Sequence, residues 1–197
     1  MITPQSLMLI QIGTMARLSI YAGIGSRETP IPIQNVMTKF ATAVSKTHVL
    51  RSGGATGADD AFYQGAKTGC DKHKLKYKNH IEIFLPWDGF EGFYTEKHDF
   101  VYLASLASHM IAEKYHPKYN KLTDAGKSLM ARNSQQILGR LLTNRVDFVV
   151  CYTSDGKASG GTGQAIRIAE DKGIPVYNLF YQEAFHFCKE FIDLENN

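Results

Sequence analysis

The sequence predicts an α/β fold built on an open, mainly parallel sheet with helices on both faces, and three observations carry that prediction. Short β-rich runs alternate with amphipathic helical patterns along most of the chain. Three strand-to-helix turns are rich in glycine: Gly23–Arg27, Ser52–Gly57 and Thr153–Thr162. The run Val146–Tyr152 (VDFVVCY) is the most apolar of the predicted strands, as expected for a central strand covered on both faces. In such a sheet ligands lie beyond the carboxyl ends of the strands, and all three glycine turns fall at predicted strand ends.

The best-marked unit is Leu50–Gly65 (LRSGGATGADDAFYQG), with Thr47–Arg51 as strand, Ser52–Gly57 as tight turn and Ala58–Lys67 as helix. Gly53, Gly54 and Gly57 let the main chain approach a ligand closely, as a phosphate cradle requires. The same glycines suit tight packing of strand against helix, and this motif alone does not decide between the two. Asp59 or Asp60 falls in the first helical turn, as a cap or as a contact to a sugar hydroxyl. Upstream, Leu18–Ile24 reads as the first strand, and Gly23, Gly25, Ser26 and Arg27 form its ligand-facing turn. After Thr29-Pro30-Ile31-Pro32, the segment Gln34–Ser45 carries Val36, Phe40, Ala41 and Val44 at helical spacing.

Downstream, Lys72–Lys78 (KHKLKYK) reads as a solvated loop or a charged sheet edge. Ile81–Trp87 alternates and is the third strand. Asp88–Tyr94 is a lid candidate, with Trp87 and Phe90 either stacking on a base or packed in the core. Phe100–Ala112 and Ala125–Leu142 carry helical patterns. In the second, Arg132 and Asn133 fall off the stripe of Leu129, Met130, Ile137, Leu138 and Leu141, so Arg132 is either a surface charge or a fork for phosphate. Gly163–Lys172 is a helix, Ile174–Leu179 the last strand and Ala184–Leu194 a closing amphipathic helix.

The composition narrows the function classes. The 197 residues fit one domain with 44% apolar content, and no apolar run approaches the ~20 residues of a membrane-spanning helix. Met1–Ala16 reads as an N-terminal extension ahead of one domain over residues 17–197. The three cysteines, Cys70, Cys151 and Cys188, are far apart, which fits reduced thiols in a cytoplasm. Cys151 lies in an apolar strand and reads as core rather than nucleophile. A net charge of +3 tolerates an anionic ligand without demanding nucleic acid. The seven histidines have no ligand-like spacing, so no metal site is expected. No cofactor is required, and Mg2+ enters only alongside a polyphosphate ligand.

Four segments, GIGSR (Gly23–Arg27), SGGATGAD (Ser52–Asp59), ARN (Ala131–Asn133) and SGGTGQAIRIA (Ser159–Ala169), together resemble the SLOG superfamily of Rossmann-like nucleotide-binding proteins. That superfamily includes the Lonely Guy phosphoribohydrolases and the DNA-processing protein A fold, and the chain looks like its small stand-alone members from phages and bacteria. The resemblance spans Leu18–Leu179. It implies a phosphate site at Ser52–Gly57 and at Gly160, Gly161, Thr162 and Gly163, with Arg132 acting at the ribose of a nucleoside 5′-monophosphate whose N-glycosidic bond is hydrolysed. It also implies a homo-oligomer and a small-molecule nucleotide as partner. With no membrane span and only a mild charge, the expected setting is cytoplasmic, that of the host if the chain is phage-encoded, and nucleic acid is not the expected partner, since the DNA-processing relatives carry additional domains for which the chain has no room. The chain departs from the pattern at one point: the positions where the family carries a glutamate hold Ala165, Ile166 and Arg167, with Glu170 a helical turn further on. Asp59, Asp60 or Asp155, each at or near a predicted strand end, are the candidates to take the glutamate's catalytic place beside Arg132. Two readings follow: a nucleotide N-glycosidase, or a non-catalytic sensor or sequestering protein for a nucleotide signal such as an ADP-ribose-like or cyclic nucleotide.

Overall fold

The computed structural model describes residues 17–196, so the expected extension Met1–Ala16 lies outside the described residues. Strand β1 (Ser19–Gly25) sends Tyr21 to one face of the sheet and Ile20, Ala22 and Ile24 to the other. Both sets are apolar, so the strand has to be covered on both sides, which parallel sheets achieve with crossover helices. Strands β2 (His48–Ser52), β3 (Ile81–Leu85), β4 (Val101–Leu103), β5 (Phe148–Tyr152) and β6 (Val176–Asn178) complete a six-stranded sheet in the order β4-β3-β2-β1-β5-β6. Every pairing is parallel, and Tyr21 lies opposite both Leu50 of β2 and Phe148 of β5. The predicted α/β, Rossmann-like architecture is what the chain adopts.

Helices α1 (Ile31–Val44), α2 (Ala58–His73) and α7 (Gln182–Asn196) cover one face, burying Phe40, Phe62 and Phe187 with Tyr21 and Phe148. Burial of each such ring contributes about 1.5–3 kcal/mol. On the opposite face, α5 (Asp124–Leu138) and α6 (Gly160–Asp171) set Ile137, Ile168 and Ala169 against Val149 and Cys151, and α4 (Leu106–Tyr115) packs beside α5. A single short turn, α3 (Tyr77–His80), leads into β3. Helix ends follow local chemistry. Pro32 sits in the first turn of α1, where an N–H would have no helical partner. Thr123 caps α5 by accepting from the Gly126 N–H at 3.1 Å, and Gly139, at φ +80°, ends it.

Several boundaries differ from the sequence reading. Phe100–Ala112 is not one helix: Val101–Leu103 pairs with β3 as an edge strand, and α4 begins only at Leu106 after the cap Ser105. The third strand stops at Leu85, ahead of Pro86, and leaves Trp87 outside the sheet. The lysine run is neither loop nor sheet edge throughout: Lys72 lies in the last turn of α2, Lys74 caps it in a left-handed conformation, and Tyr77 opens α3. The strand within Val146–Tyr152 is one place in from the edge strand β6 rather than central, although Phe148–Cys151 is buried on both faces. Among the described residues no helix is long and apolar enough to cross a membrane.

Candidate functional site

Strands β1 and β5 lie side by side, but the chain leaves them toward opposite faces, into α1 after β1 and into α6 after β5. Such a switch point opens a crevice at the carboxyl ends of the strands. Here it holds a cavity of about 470 Å³, within the usual range for small-molecule sites. The β1 turn supplies Gly25, Ser26, Arg27 and Glu28. The β5 turn supplies Thr153 and Ser154, followed by Ser159, Gly160, Gly161 and Thr162 at the start of α6. Helix α5 contributes Met130, Arg132, Asn133 and Gln136, and the β2 turn adds Ala55 and Asp59.

The inner part of this cavity is organised by a buried ion pair. Arg132 Nη1 donates to Asp59 Oδ2 at 2.8 Å, with the two side chains 10% and 3% exposed. The Gln136 amide, oriented so that each of its polar atoms is satisfied, accepts from Arg132 Nη1 (3.0 Å) and the Gly53 N–H (2.8 Å) and donates to Asn133 Oδ1 (3.0 Å). The Ala55 N–H also approaches Asp59 Oδ2, at 3.4 Å. A Cβ on residue 53 would fall onto the Arg132 guanidinium, so this glycine is required by the ion pair. Arg132 is therefore not a surface charge. It lies off the apolar stripe of α5, yet every residue from Met130 to Leu138 is buried, because the polar side of the helix faces the cavity and the β2 turn.

The start of α6 is built differently. Ser159 occupies the N-cap position, but its side chain accepts no hydrogen bond from the helix. Its Oγ instead donates to Asp155 Oδ1 at 2.9 Å, and the same oxygen accepts from the Lys157 N–H at 3.0 Å. These donors hold the Asp155 carboxyl below its ordinary range. The first-turn N–H groups of α6 are thus left without a side-chain cap where they meet the cavity, an arrangement suited to an anion. Asn133 Nδ2 donates to the Gly161 carbonyl at 3.0 Å and ties this turn to α5.

The structure brings Gly25, Ser26, Arg27, Asp59, Arg132, Asn133, Gly160, Gly161 and Thr162 to one cavity. Other candidates point elsewhere. Gly23 makes room for the Phe62 ring, and Ser52 is buried with its Oγ donating to the Gly23 carbonyl at 2.7 Å. Gly54 faces Ile83, Leu85 and Phe93, and Gly57, at φ +85°, sits against the Arg27 main chain. Gly163 lets the first turn of α6 close onto Ala158. The Ser52–Gly57 turn is therefore mainly a packing element: Ala55 alone of its residues lines the cavity, with Asp59 just beyond it. Asp60 is exposed and accepts from Gln64 Nε2 at 3.0 Å, away from the site. Trp87 and Phe90 do not line the cavity: they meet edge to face at 5.1 Å, with Phe90 in the core beneath the Arg27 guanidinium.

Where the resemblance implied a glutamate, Ala165 lines the cavity, Ile166 is core, and Arg167 donates to the carbonyls of Tyr115 and Ala158, both at 2.8 Å. Burial pushes the Cys151 thiol up to about 12, which removes it as a nucleophile. Gln136 and Glu28 were not singled out from sequence. Gln136 had a signal, its i+4 spacing from Arg132; Glu28 had only its place directly after the first glycine turn. Among the described residues no group of three or more His, Cys, Asp or Glu is arranged to hold a metal ion.

No family model matches the chain, and no curated protein does. A solved structure of DNA processing protein A from Helicobacter pylori, described by its single-stranded DNA binding mode, is similar over 90% of this chain and 69% of that chain, with a TM-score of 0.48 and 16% identity. At that identity the likeness concerns the fold and transfers no residue role. That protein's description, by its single-stranded DNA binding mode, runs against the expectation that nucleic acid is not a partner, and that expectation is not kept.

Proposed function

We propose that this chain is a SLOG-type nucleotide-binding domain that takes a nucleotide or nucleotide-derived ligand into the cavity between the β1 and β5 turns and, for a nucleoside 5′-monophosphate, hydrolyses the N-glycosidic bond. The observation that carries the reading is the uncapped first turn of α6, opening onto a cavity that also holds Arg27, Ser26 and the Asp59–Arg132 pair. Backbone N–H groups and the helix dipole together favour a phosphate there. The hydroxyls of Ser26, Thr153 and Ser154 supply further partners for a ligand rich in oxygen. No cofactor takes part in this reading, and Mg2+ enters only with a polyphosphate.

The test is a panel of ribo- and deoxyribonucleoside 5′-monophosphates, followed by calorimetry for binding and by chromatography for released base. Binding in the micromolar to low millimolar range with release of free base is expected. Absence of binding to every member at millimolar concentration would sink the proposal. One observation favours a second, non-catalytic reading, as a sensor or sequestering protein. The Arg132 guanidinium is engaged by Asp59, and the α6 positions implied for a carboxylate hold none that faces the cavity. Under that reading the bound nucleotide is recovered intact.

A further inference from the structure

Cleavage of a ribosyl C–N bond builds positive charge at C1′, and it needs a carboxylate to stabilise that charge and to take a proton from water. The carboxylates that reach the cavity are Asp59 and Glu28. Asp59 is buried and its charge is neutralised by Arg132 at 2.8 Å, so it positions the guanidinium rather than acting as a base. Asp60 lies outside the cavity, and Asp155 is held by the Lys157 N–H and the Ser159 hydroxyl without lining it.

Glu28 differs from all three. Its side chain is exposed at the cavity wall, and among the described residues its carboxylate makes no hydrogen bond or ion pair. Its main chain, by contrast, is fixed. The Glu28 N–H donates to Ser26 Oγ at 3.1 Å, the Ser26 carbonyl accepts from the Thr29 hydroxyl at 2.8 Å and the Ala58 N–H at 3.3 Å, and Gly57 lies directly against Arg27. The turn thus fixes where the side chain leaves the main chain, and its carboxylate, engaged by no protein donor, is open to water and ligand in the cavity. It also stands on the β1 wall, whereas the anion-accepting amides belong to the wall that follows β5. A nucleotide whose phosphate rested on α6 would extend from that wall across the cavity toward β1.

We infer that Glu28 is the catalytic carboxylate of this site, acting as general base on the ribosyl bond of a nucleoside 5′-monophosphate. The inference rests on the hydrolytic reading proposed above. Water donates a proton to the Glu28 carboxylate as its oxygen bonds to C1′. The C1′–N bond breaks, and its electron pair leaves with the base, which takes up a proton from solvent. The products are ribose 5-phosphate and the free base, and Glu28 returns its proton to solvent.

The test compares wild-type protein with Glu28→Gln and Glu28→Ala, using the nucleoside monophosphate that releases base fastest. Turnover in both variants is expected to fall by about 10²–10⁴-fold, while the dissociation constant from calorimetry stays within about threefold of wild type and added formate restores part of the Glu28→Ala rate. Turnover of Glu28→Gln within tenfold of wild type overturns the assignment and leaves the hydrolase reading standing, as does a loss explained wholly by weaker binding. A wild-type protein that binds nucleotides and releases no base overturns the assignment and the hydrolase reading together, and leaves the binding reading. The exposed, unpaired side chain makes both variants fold as wild type does, which circular dichroism and thermal melting verify.

Discussion

Arg132→Ala is the substitution whose outcome the structure changes most. Were Arg132 a surface charge, its loss would cost little stability. In the fold it is one half of an ion pair whose two side chains are 10% and 3% exposed. Truncating it leaves the Asp59 carboxylate buried, with the Ala55 N–H at 3.4 Å as its one remaining close donor, and strands the Gln136 carbonyl oxygen with the Gly53 N–H alone. Removing one partner of a buried pair costs about 3–5 kcal/mol, which for a domain of this size lowers Tm by about 6–20 °C. Removing both charges in Asp59→Asn/Arg132→Met eliminates the unpaired carboxylate, so the double variant is expected to recover at least half of that loss. Urea denaturation of the wild type, both single variants and the double variant forms the cycle, read as shifts in midpoint at constant slope. An Arg132→Ala midpoint indistinguishable from wild type, or a double variant whose loss equals the sum of the two single losses, would refute the reasoning.

Further expectations follow from the same geometry. A Cβ at residue 163 would overlap the Ala158 main chain, so Gly163→Ala displaces the first turn of α6; it is expected to cost about 1–3 kcal/mol and to weaken nucleotide binding at least tenfold by calorimetry. Ser159→Ala should change stability by under ~0.5 kcal/mol, because its hydroxyl caps nothing, whereas Thr123→Ala, which removes a true cap, should cost about 1 kcal/mol in thermal melts. His48 is packed among Tyr21, Phe148 and Phe191, and burial lowers its pKa from 6.5 to about 4. The unfolded chain therefore binds a proton between those values while the folded one does not. This contribution is present above pH 6.5 and is lost as pH falls toward 4, by ~3 kcal/mol in total. NMR titration of the His48 ring checks it, and a midpoint near 6.5 would contradict it.

The sequence displayed some features of the site and concealed others, for identifiable reasons. Strands β1, β2 and β5 and the turns that follow them were legible because apolar runs stop abruptly at glycine. The three-residue strand β4 was not, since Phe100, Val101 and Leu103 occupy spacings that a short window cannot distinguish from the opening of a helix. Glycine itself was ambiguous. Gly160 and Gly161 line the cavity, but Gly23, Gly53 and Gly57 are glycine because an aromatic ring, a guanidinium and the main chain of another turn occupy the space of their Cβ atoms. The motif marks Arg132, but its helical phase leaves open a surface charge, because phase alone does not show that α5 is buried on its polar side as well as its apolar one. Gln136 carried only its i+4 spacing from Arg132 and Glu28 only its place after the first glycine turn, and the significance of both depends on segments brought to them by the fold.

The strand order bears on how the chain is made. Strands β1 to β4 are laid down consecutively and lie to one side of β1, whereas its other neighbour, β5, begins at Phe148 and is synthesised more than a hundred residues later. Throughout that interval the nascent half-sheet presents the open hydrogen-bonding edge of β1, a template for pairing with other chains. Fragments ending before residue 148 should accordingly be insoluble or chaperone-bound, and a ribosome stalled in α5 would hold the chain at its point of greatest vulnerability.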